Sequence, residues 1–534
     1  MTRRAREAGL AAALLLLTAA AFAPVVRNGF VWDDDAYVHQ NSTLEDAAGL
    51  ARIWLEPGAT PQYYPLVHTS FWLERRIFGL HPAGYHAVNV LLHATAALLL
   101  WRVLGRLEAP GAFVAAALFA VHPVQVESVA WISERKNVLS GALYFAAALT
   151  WLHPARRGCR PRALLAFALY LGALLAKTVT CTLPAALLVA LWWRGERSLA
   201  RALRSLAPFF AAGLALGLLT IHLEKTRVGA VGEPWDLSAA ERILVAGRAL
   251  FFYAGKLAWP ADLCFVYPRF ALDAGDPVQW LYPGAALALV LALLAARRRL
   301  GRGPLAAALL FGGTLFPALG FFDVFPMQYS FVADHFQYLA CAGPFALTAA
   351  LPSRLSDPRA RRAARAALTL AVALCAGLSF RQVPVYADLE SLWRHTVAVN
   401  PEAWMAHYNL GNELRRQGRG DEAAAAYREA LRARPGLATA HNNLAGLLAQ
   451  QGDVEAAVRH YRRALELEPD HASARSNLGA VLASQGRLEE ALVELRKALR
   501  LRPQSPRLRQ RLAAVLERLG RAEEARAHAR HGAR

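Results

Sequence analysis

The sequence predicts an all-α protein in which a polytopic membrane domain precedes a solenoid of helical repeats. Apolar runs of spanning length fill the first 380 residues, and a 34-residue period fills the remainder. The chain has 534 residues, is 55% hydrophobic and carries a formal charge of +20. Most of its Arg lies in short loops between apolar runs, which indicates membrane topology and gives no reason to expect nucleic-acid binding.

Eleven apolar runs are candidates for spans, since a helix needs about 20 residues to cross a bilayer. They cover residues 8–26, 86–104, 110–126, 138–153, 163–178, 180–193, 206–222, 280–296, 304–322, 336–352 and 364–380. With the N-terminus in the cytoplasm, every Arg-rich loop falls inside, as the positive-inside rule requires. The outer loops then hold most of the unusual polar residues, so we expect the chemistry to face outward.

Two segments allow alternative interpretations. Residues 1–26 resemble a cleaved signal peptide, but the many spans that follow favour a retained anchor. Residues 243–259 are apolar but contain Arg248 and Lys256. A crossing there would place the Arg-rich loop after the eighth span outside, so we predict an interfacial amphipathic helix within a long outer loop.

The C-terminal part repeats every 34 residues. The recurring prolines and glycines are Pro401, Pro435, Pro469, Pro503, Gly418, Gly452, Gly486 and Gly520. This period with helix–turn–helix patterning is that of the tetratricopeptide repeat (TPR), whose concave face usually binds peptide. The predicted domains are therefore a membrane domain over 1–385, a linker over 386–401, and a TPR domain over 402–534 with three full repeats and a partial terminal one.

Three consecutive acids, Asp33, Asp34 and Asp35, begin the first outer loop. They fit a solvated turn or helix cap, a general base toward a hydroxyl, or carboxylate ligands of a divalent metal. The run alone does not choose between these roles. A divalent metal is thus compatible with the sequence but not required by it, and the five cysteines show no metal spacing.

Polar residues recur in the other outer loops. The predicted phosphate-binding cations are Arg135, Lys136, Lys177 and Arg269, and the possible supporting residues are His122, Glu127, Asp334 and Asp35, with His335 next to Asp334. Arg and Lys suit phosphate oxygens, so acids and cations together predict a site with a base and a phosphate clamp. Taken singly, each cation equally fits an interfacial residue that snorkels toward water.

The chain resembles the bacterial relatives of the TMTC proteins in stretches that read NGFVWDDD, YYPLVHTSFWLE, AVHPVQVESVAWISERKNVLS, AKTVTCTLP and ADHFQYLA. Those proteins are transmembrane and TPR-containing protein O-mannosyltransferases of the GT-C superfamily. The resemblance implies a GT-C-like membrane domain, a polyprenyl-phosphate sugar donor, transfer of mannose to Ser/Thr of an acceptor polypeptide, and TPRs that present this polypeptide. In a GC-rich bacterium, which the Ala- and Arg-rich composition indicates, the inner membrane would hold the chain with its TPRs in the periplasm.

The resemblance also implies roles for particular residues. Asp33 and Asp34 match an acidic pair that serves the acceptor, whereas Asp35 is an extra acid. The family's DRYxYLP reads DHFQYLA here, so His335 replaces an Arg at a donor-phosphate position. Two alternatives stay open: a non-enzymatic membrane scaffold whose TPRs recruit envelope or secretion proteins, and a glycosyltransferase that acts on lipid or polysaccharide.

Overall fold

The computed structural model describes residues 2–153, 160–196 and 198–530, and these residues form helices and turns without strands. Part of the predicted inner loop before the fifth span, 154–159, and the last four residues of the predicted 402–534 domain lie outside this range. The chain divides into two compact units, Met1–Leu392 and Trp393–Arg534. The all-α prediction is confirmed.

The α-helices of the first unit are numbered α1 to α15. Their bounds are Arg3–Ala21, Ala47–Leu55, Pro65–Phe78, Pro82–Arg106, Ala112–Val121, Val126–Ala130, Arg135–Trp151, Arg160–Ala176, Leu183–Arg194, Leu199–Leu223, Ala239–Ala258, Leu281–Leu300, Gly303–Leu315, Ala342–Ala350 and Pro358–Gln382. A further helix, α16 (Leu389–Val399), includes the division between the units. Each of the eleven predicted spans overlaps one of these helices.

Four helical segments of the described chain are long and apolar enough to cross a membrane. They are Pro82–Arg106, Leu199–Val228, Leu281–Leu300 and Pro358–Tyr386. A fifth crossing follows if Ala112–Val121 and Pro123–Ala130, which are bent by 55° at their junction, count as one span. The other predicted spans do not meet this criterion, and several coincide with helices of fewer than 18 residues, so the total of eleven spans remains a prediction.

The bend after α5 creates the most deeply buried part of the chain. His122 has an extended backbone, as expected of a residue before proline, and its Nδ1 accepts the Val124 N–H at 3.4 Å. The chain then turns back, and every residue from Ala115 to Val138 is buried. The sequence placed an outer loop at about 123–137. The structure instead buries these residues inside the unit.

The predicted amphipathic helix at 243–259 corresponds to α11. Ser238 and Glu241 form a reciprocal capping box that fixes its start, and Leu244, Val245 and Tyr253 are among its buried residues. One face is therefore covered, and Arg248 and Lys256 lie over aromatic rings of Phe270 and Tyr267, at 4.4 and 5.1 Å from the ring centroids. These contacts account for two cations in an otherwise apolar helix.

The second unit continues with paired helices α17 to α24. Their bounds are Trp404–Arg416, Gly420–Ala433, Ala438–Gln450, Val454–Leu467, Ala472–Ser484, Leu488–Leu501, Pro506–Arg518 and Ala522–Arg530. Ala430, Ala464 and Ala498, which are spaced by 34 residues, are fully buried in the second helices of successive pairs. Small side chains there allow neighbouring helices to approach closely, as the repeat pattern predicts.

The periodic glycines end the first helix of each pair in the left-handed conformation. Gly452 follows α19 with φ of +87°, and its counterparts have φ between +76° and +79°. We expect Gly452→Ala to destabilise the second unit by about 1 kcal/mol, because an L-residue strains in this conformation. The expected fall in Tm of a 393–534 fragment is roughly 3–5 °C.

Gly436→Ala is the matched control for this prediction. Gly436 is exposed, its φ is not positive, and no heavy atom lies within 4 Å of an added Cβ. Its replacement should leave Tm unchanged or slightly higher, because alanine restricts the unfolded chain. Equal losses in both variants would show that the left-handed turn is not what the glycines supply.

Candidate active site

The acidic run separates into three different environments. Asp34 is fully buried; its Oδ2 accepts the Val31 N–H at 2.9 Å and its Oδ1 accepts the Ser133 N–H at 2.7 Å. Burial, reinforced by the charge of Asp33, raises the pKa of Asp34 well above its usual range. Backbone N–H groups thus engage both oxygens of Asp34, and Oδ1 joins the predicted first outer loop to the buried turn before α7. The catalytic role of Asp34 stays a prediction, and this geometry does not favour it.

Asp33 is the member of the run that lies at the site and keeps part of its surface exposed. Its Oδ1 accepts a hydrogen bond of 2.5 Å from the Ser133 hydroxyl. Burial raises the pKa of Asp33, and the nearby charge of Lys136 partly offsets that rise. Trp32 immediately before it has φ of +52°, a strained conformation for a bulky residue that fixes the direction in which the chain enters the site.

Glu134 is the centre of a buried ionic cluster. Its carboxylate lies 3.0 Å from Lys136 Nζ and 3.2 Å from Lys177 Nζ, and it accepts an N–H from Asn137 Nδ2 at 2.7 Å. His335 Nε2 is 4.0 Å away. Although burial alone would raise its pKa, the charges of His335, Lys136 and Lys177 lower the pKa of Glu134 below its usual range. Two predicted phosphate-binding lysines are thus held side by side by one ionised carboxylate.

Aromatic rings cover Lys136 in this cluster. Its Nζ lies 5.3 Å from the ring centroid of Tyr37 and 5.5 Å from that of Trp131. Such rings stabilise a buried cation through their negative faces. Lys136 also acts electrostatically on Asp33, so the clustered cations and the partly exposed acid belong to one site.

Arg135 does not belong to this site, and its predicted role in phosphate binding is not supported. Its guanidinium is fully buried, and each of its five N–H donors has a partner. These partners are Glu74, Asn89, Ser70 and the Tyr85 carbonyl. A phosphate would find no donor left on Arg135, which instead holds α3, α4 and α7 together.

His335 lies between the Glu134 cluster and a second pair of acids. Its backbone N–H donates to Glu127 Oε2 at 2.9 Å, and its Nδ1 lies 3.2 Å from Glu127 Oε1. Both oxygens of Asp334 lie 3.0 Å from the Tyr267 hydroxyl, which donates to them. Burial and the charge of Glu127 raise the pKa of Asp334 well above its usual range. Glu127 therefore contacts His335 at both its backbone N–H and its ring, whereas Asp334 is held by Tyr267.

The remaining predicted residues lie in other surroundings. Arg269 is exposed, donates to the Pro234 carbonyl at 2.5 Å and lies over the ring of Phe331. His122 caps the bend after α5 and lies 3.2 Å from the Leu257 carbonyl. Asp35 is exposed and begins a helical turn, Asp35–His39. None of these contacts connects the three residues to the Glu134 cluster.

Comparison with known proteins finds similarity in both parts of the chain. The tetratricopeptide repeat family matches residues 389–438, 436–504 and 482–532. Human protein O-mannosyl-transferase TMTC1 is 28% identical over 489 residues, which cover 80% of this chain and 55% of that protein. The Caenorhabditis elegans protein O-mannosyl-transferase F38B6.6 is 26% identical and covers 76% of this chain and 59% of that protein.

The chain is a relative of the TMTC proteins. It spans little more than half the length of the two relatives that cover most of it. Drosophila melanogaster Tmtc1 is 34% identical over a shorter stretch, 29% of this chain and 19% of that protein. Among solved structures, MamA covers 27% of this chain and 84% of its own at 20% identity, with a TM-score of 0.26. That score adds nothing to the TPR assignment.

Several site residues of this TMTC relative escaped the sequence-based prediction. Ser133 contacts both Asp33 and Asp34, and Glu134 holds the two lysines. Gln62 donates to Glu224 at 2.8 Å and accepts the Tyr37 hydroxyl at 2.7 Å, so a polar chain connects the first outer loop to the end of α10. The only signal for Glu224 was a carboxylate at the end of a long apolar run.

The carboxylates at this site, those of Asp33, Asp34 and Glu134, also have to be considered as metal ligands. Among the described residues, no three His, Cys, Asp or Glu side chains are arranged to hold a metal ion. Asp34 is engaged by backbone N–H groups and Glu134 by lysines, so neither presents a free carboxylate. The site is best described as one partly exposed acid beside a cluster of cations.

Proposed function

We propose that this protein is a GT-C-type membrane glycosyltransferase that moves a sugar, mannose, from a polyprenyl-phosphate donor to Ser/Thr hydroxyls of an extracytoplasmic polypeptide. One observation carries the proposal: two adjacent residues, Ser133 and Glu134, hold an acid and two cations at one site. Ser133 donates to Asp33, and Glu134 pairs with Lys136 and Lys177. The names of the relatives, protein O-mannosyl-transferases, support the same reaction class.

Asp33 is the proposed general base. Its carboxylate takes the proton of the acceptor hydroxyl while the hydroxyl oxygen attacks carbon 1 of the sugar. The bond from carbon 1 to the phosphate oxygen breaks, and the electron pair leaves with the polyprenyl phosphate. A single displacement of this kind inverts the configuration at carbon 1 and forms no covalent enzyme intermediate. Ser133 holds the Asp33 carboxylate in position through its 2.5 Å hydrogen bond.

Lys136 and Lys177 are the proposed clamp for the leaving phosphate. Each ammonium has three N–H donors, and pairing with Glu134 uses one of them. The proposal assigns the remaining donors to phosphate oxygens, on which negative charge grows as the bond breaks. Cations that Glu134 already holds in place stabilise that charge with little reorganisation. His335 adds an imidazole next to the two lysines, with its Nε2 4.0 Å from Glu134 Oε1.

The C-terminal repeats have the proposed role of presenting the acceptor. TPR concave faces bind extended or helical peptide segments, which suits a transferase whose substrate is a polypeptide. The proposed orientation places the N-terminus in the cytoplasm of a bacterium and the site and TPRs in the periplasm, because the Arg-rich loops then lie inside.

The direct test is sugar transfer by the purified full-length protein. The protein would be incubated with radiolabelled polyprenyl-phosphate mannose and membrane extract, and label would be counted separately in protein and lipid fractions. We expect label on protein, released by β-elimination as Ser- or Thr-linked sugar. Label in lipid or polysaccharide alone would assign a different acceptor. Absence of transfer with mannose and glucose donors alike would contradict the proposal.

The proposed base also predicts a pH dependence. Because the pKa of Asp33 is raised, its ionised form is lost at a higher pH than that of an ordinary aspartate. We therefore expect kcat/KM to fall as the pH drops through this raised pKa. The lowered pKa of Glu134 keeps the lysine clamp assembled over the same range. A pH–rate profile that stays flat down to the usual aspartate range would contradict this assignment.

A further inference from the structure

The first unit contains a large apolar cavity that is separate from the Asp33 site. An apolar cavity of about 550 Å³ runs between α4, α7, α9, α13 and α14. Its walls are mostly Leu and Ala side chains. Leu183 and Trp193 both line it, and these residues are ten positions apart on α9. At 1.5 Å per residue the cavity therefore extends roughly 15 Å along the helices, which makes it a groove suited to a hydrocarbon chain.

One end of this groove carries positive charge. Arg299 at the end of α12 and Arg354 after α14 both line it, and both are exposed. The Arg354 guanidinium lies against Gly301, because a Cβ added there would come within 3.2 Å of its Nη2. Within the described chain, neither arginine has a hydrogen bond or an ion pair. An apolar groove thus ends in two cations for which the described residues supply no ion-pair partner.

The charged end is far from the Asp33 site. On α4, Asn89 contacts the buried Arg135, whereas Leu107 just beyond the helix lines the groove, eighteen residues later. On α7, Arg135 begins the helix and Leu152, which follows it, lines the groove. At 1.5 Å per residue, the site and the groove's arginine end are separated by roughly 25 Å along both helices. In the proposed orientation this end faces the cytoplasm.

We propose that this groove binds one anionic phospholipid of the membrane, with an acyl chain between the helices and the phosphate against Arg299 and Arg354. Charge complementarity selects this occupant, since a basic pocket between membrane helices on the cytoplasmic side suits an anionic headgroup. A sugar donor reacting at Asp33 has its phosphate at the opposite end. The bound phospholipid is therefore a separate ligand that joins α12, α13 and α14 to α4 and α7.

Native mass spectrometry of the full-length protein tests this proposal. The protein would be stripped of lipid in detergent and titrated with phosphatidylglycerol or phosphatidylcholine. We expect one tightly held phosphatidylglycerol and much weaker phosphatidylcholine binding. R299Q/R354Q should weaken phosphatidylglycerol binding about tenfold or more, because two headgroup contacts are lost. Ala346→Trp, which fills the groove without changing charge, should weaken binding of the same lipid.

R297Q/R298Q is the matched control, since it removes two exposed arginines of the same helix end that do not line the groove. It should retain tight phosphatidylglycerol binding. Equal weakening in this control, or equal affinity for phosphatidylcholine, would overturn the proposal. Displacement of phosphatidylglycerol by polyprenyl phosphate would overturn it as well and assign the groove to the donor lipid. Size-exclusion profiles of all variants would identify those that fail to fold.

Discussion

Replacing Asp33 by Asn is expected to abolish sugar transfer while the protein stays folded. A positioned general base contributes about 10²–10⁴-fold to a rate, and Asn cannot accept the hydroxyl proton. The amide oxygen of Asn can still accept the hydrogen bond from Ser133, so the local structure should persist. The measurement is the initial rate of label transfer by purified protein, with Tm determined in the same detergent.

Asp35→Asn is the control for this prediction. Asp35 is exposed and lies two residues after Asp33 in the same acidic run. Its replacement by Asn removes the same formal charge. This variant should retain nearly full activity. Asp34→Asn should differ from both, because the two Asp34 oxygens each accept a backbone N–H. The single amide oxygen of Asn can accept only one of these N–H groups, and its NH₂ cannot accept the other. A lost buried hydrogen bond costs about 1–3 kcal/mol, so Tm should fall together with activity. Full activity in Asp33→Asn would exclude Asp33 as the base.

Replacing Arg135 by Gln is expected to destabilise the membrane unit strongly. The substitution leaves Glu74 buried without its cation, and breaking a buried pair from one side costs about 3–5 kcal/mol. Asn89, Ser70 and the Tyr85 carbonyl also lose their partner. The measurement is Tm in detergent together with the fraction of protein that elutes as a single species.

Two variants make this result specific. Arg269→Gln removes an exposed cation of the same predicted class and should leave Tm nearly unchanged. Glu74→Gln combined with Arg135→Gln removes both charges and should recover part of the lost stability, because no unpaired charge stays buried. If Arg135→Gln had a normal Tm but bound the sugar donor more weakly, this result would support the predicted role of Arg135 in phosphate binding.

The sequence was sufficient for features that depend on local periodicity. The 34-residue spacing of Gly452 and its counterparts predicted the repeat helices, and apolar run length predicted where the membrane helices lie. It also identified the stretch around Arg135 and Lys136 as part of a polar site. Such patterns are read from the residue types alone, because each helix or repeat imposes its own period.

The sequence could not distinguish neighbours that point in different directions. Arg135 and Lys136 are the first two residues of α7, and consecutive residues on a helix are about 100° apart. One therefore faces Glu74 and the other Glu134. Asp33 and Asp34 differ for a similar reason, since the strained backbone at Trp32 and the amide of Ser133 decide which carboxylate is covered. Glu74 is 61 residues from Arg135, and Ser133 is 99 and 100 residues from Asp34 and Asp33, so no local pattern reveals these partners.

The repeats of the second unit have a consequence for how the protein can diversify. Each helix pair packs chiefly against its neighbours, as the sequential contacts from α17 to α24 show. Insertion of 34 residues therefore adds one whole helix pair, and loss of 34 residues removes one, while the other pairs stay intact. The length of the repeat surface, and with it the length of polypeptide that it could contact, can therefore change by one helix pair at a time without any change in the membrane unit.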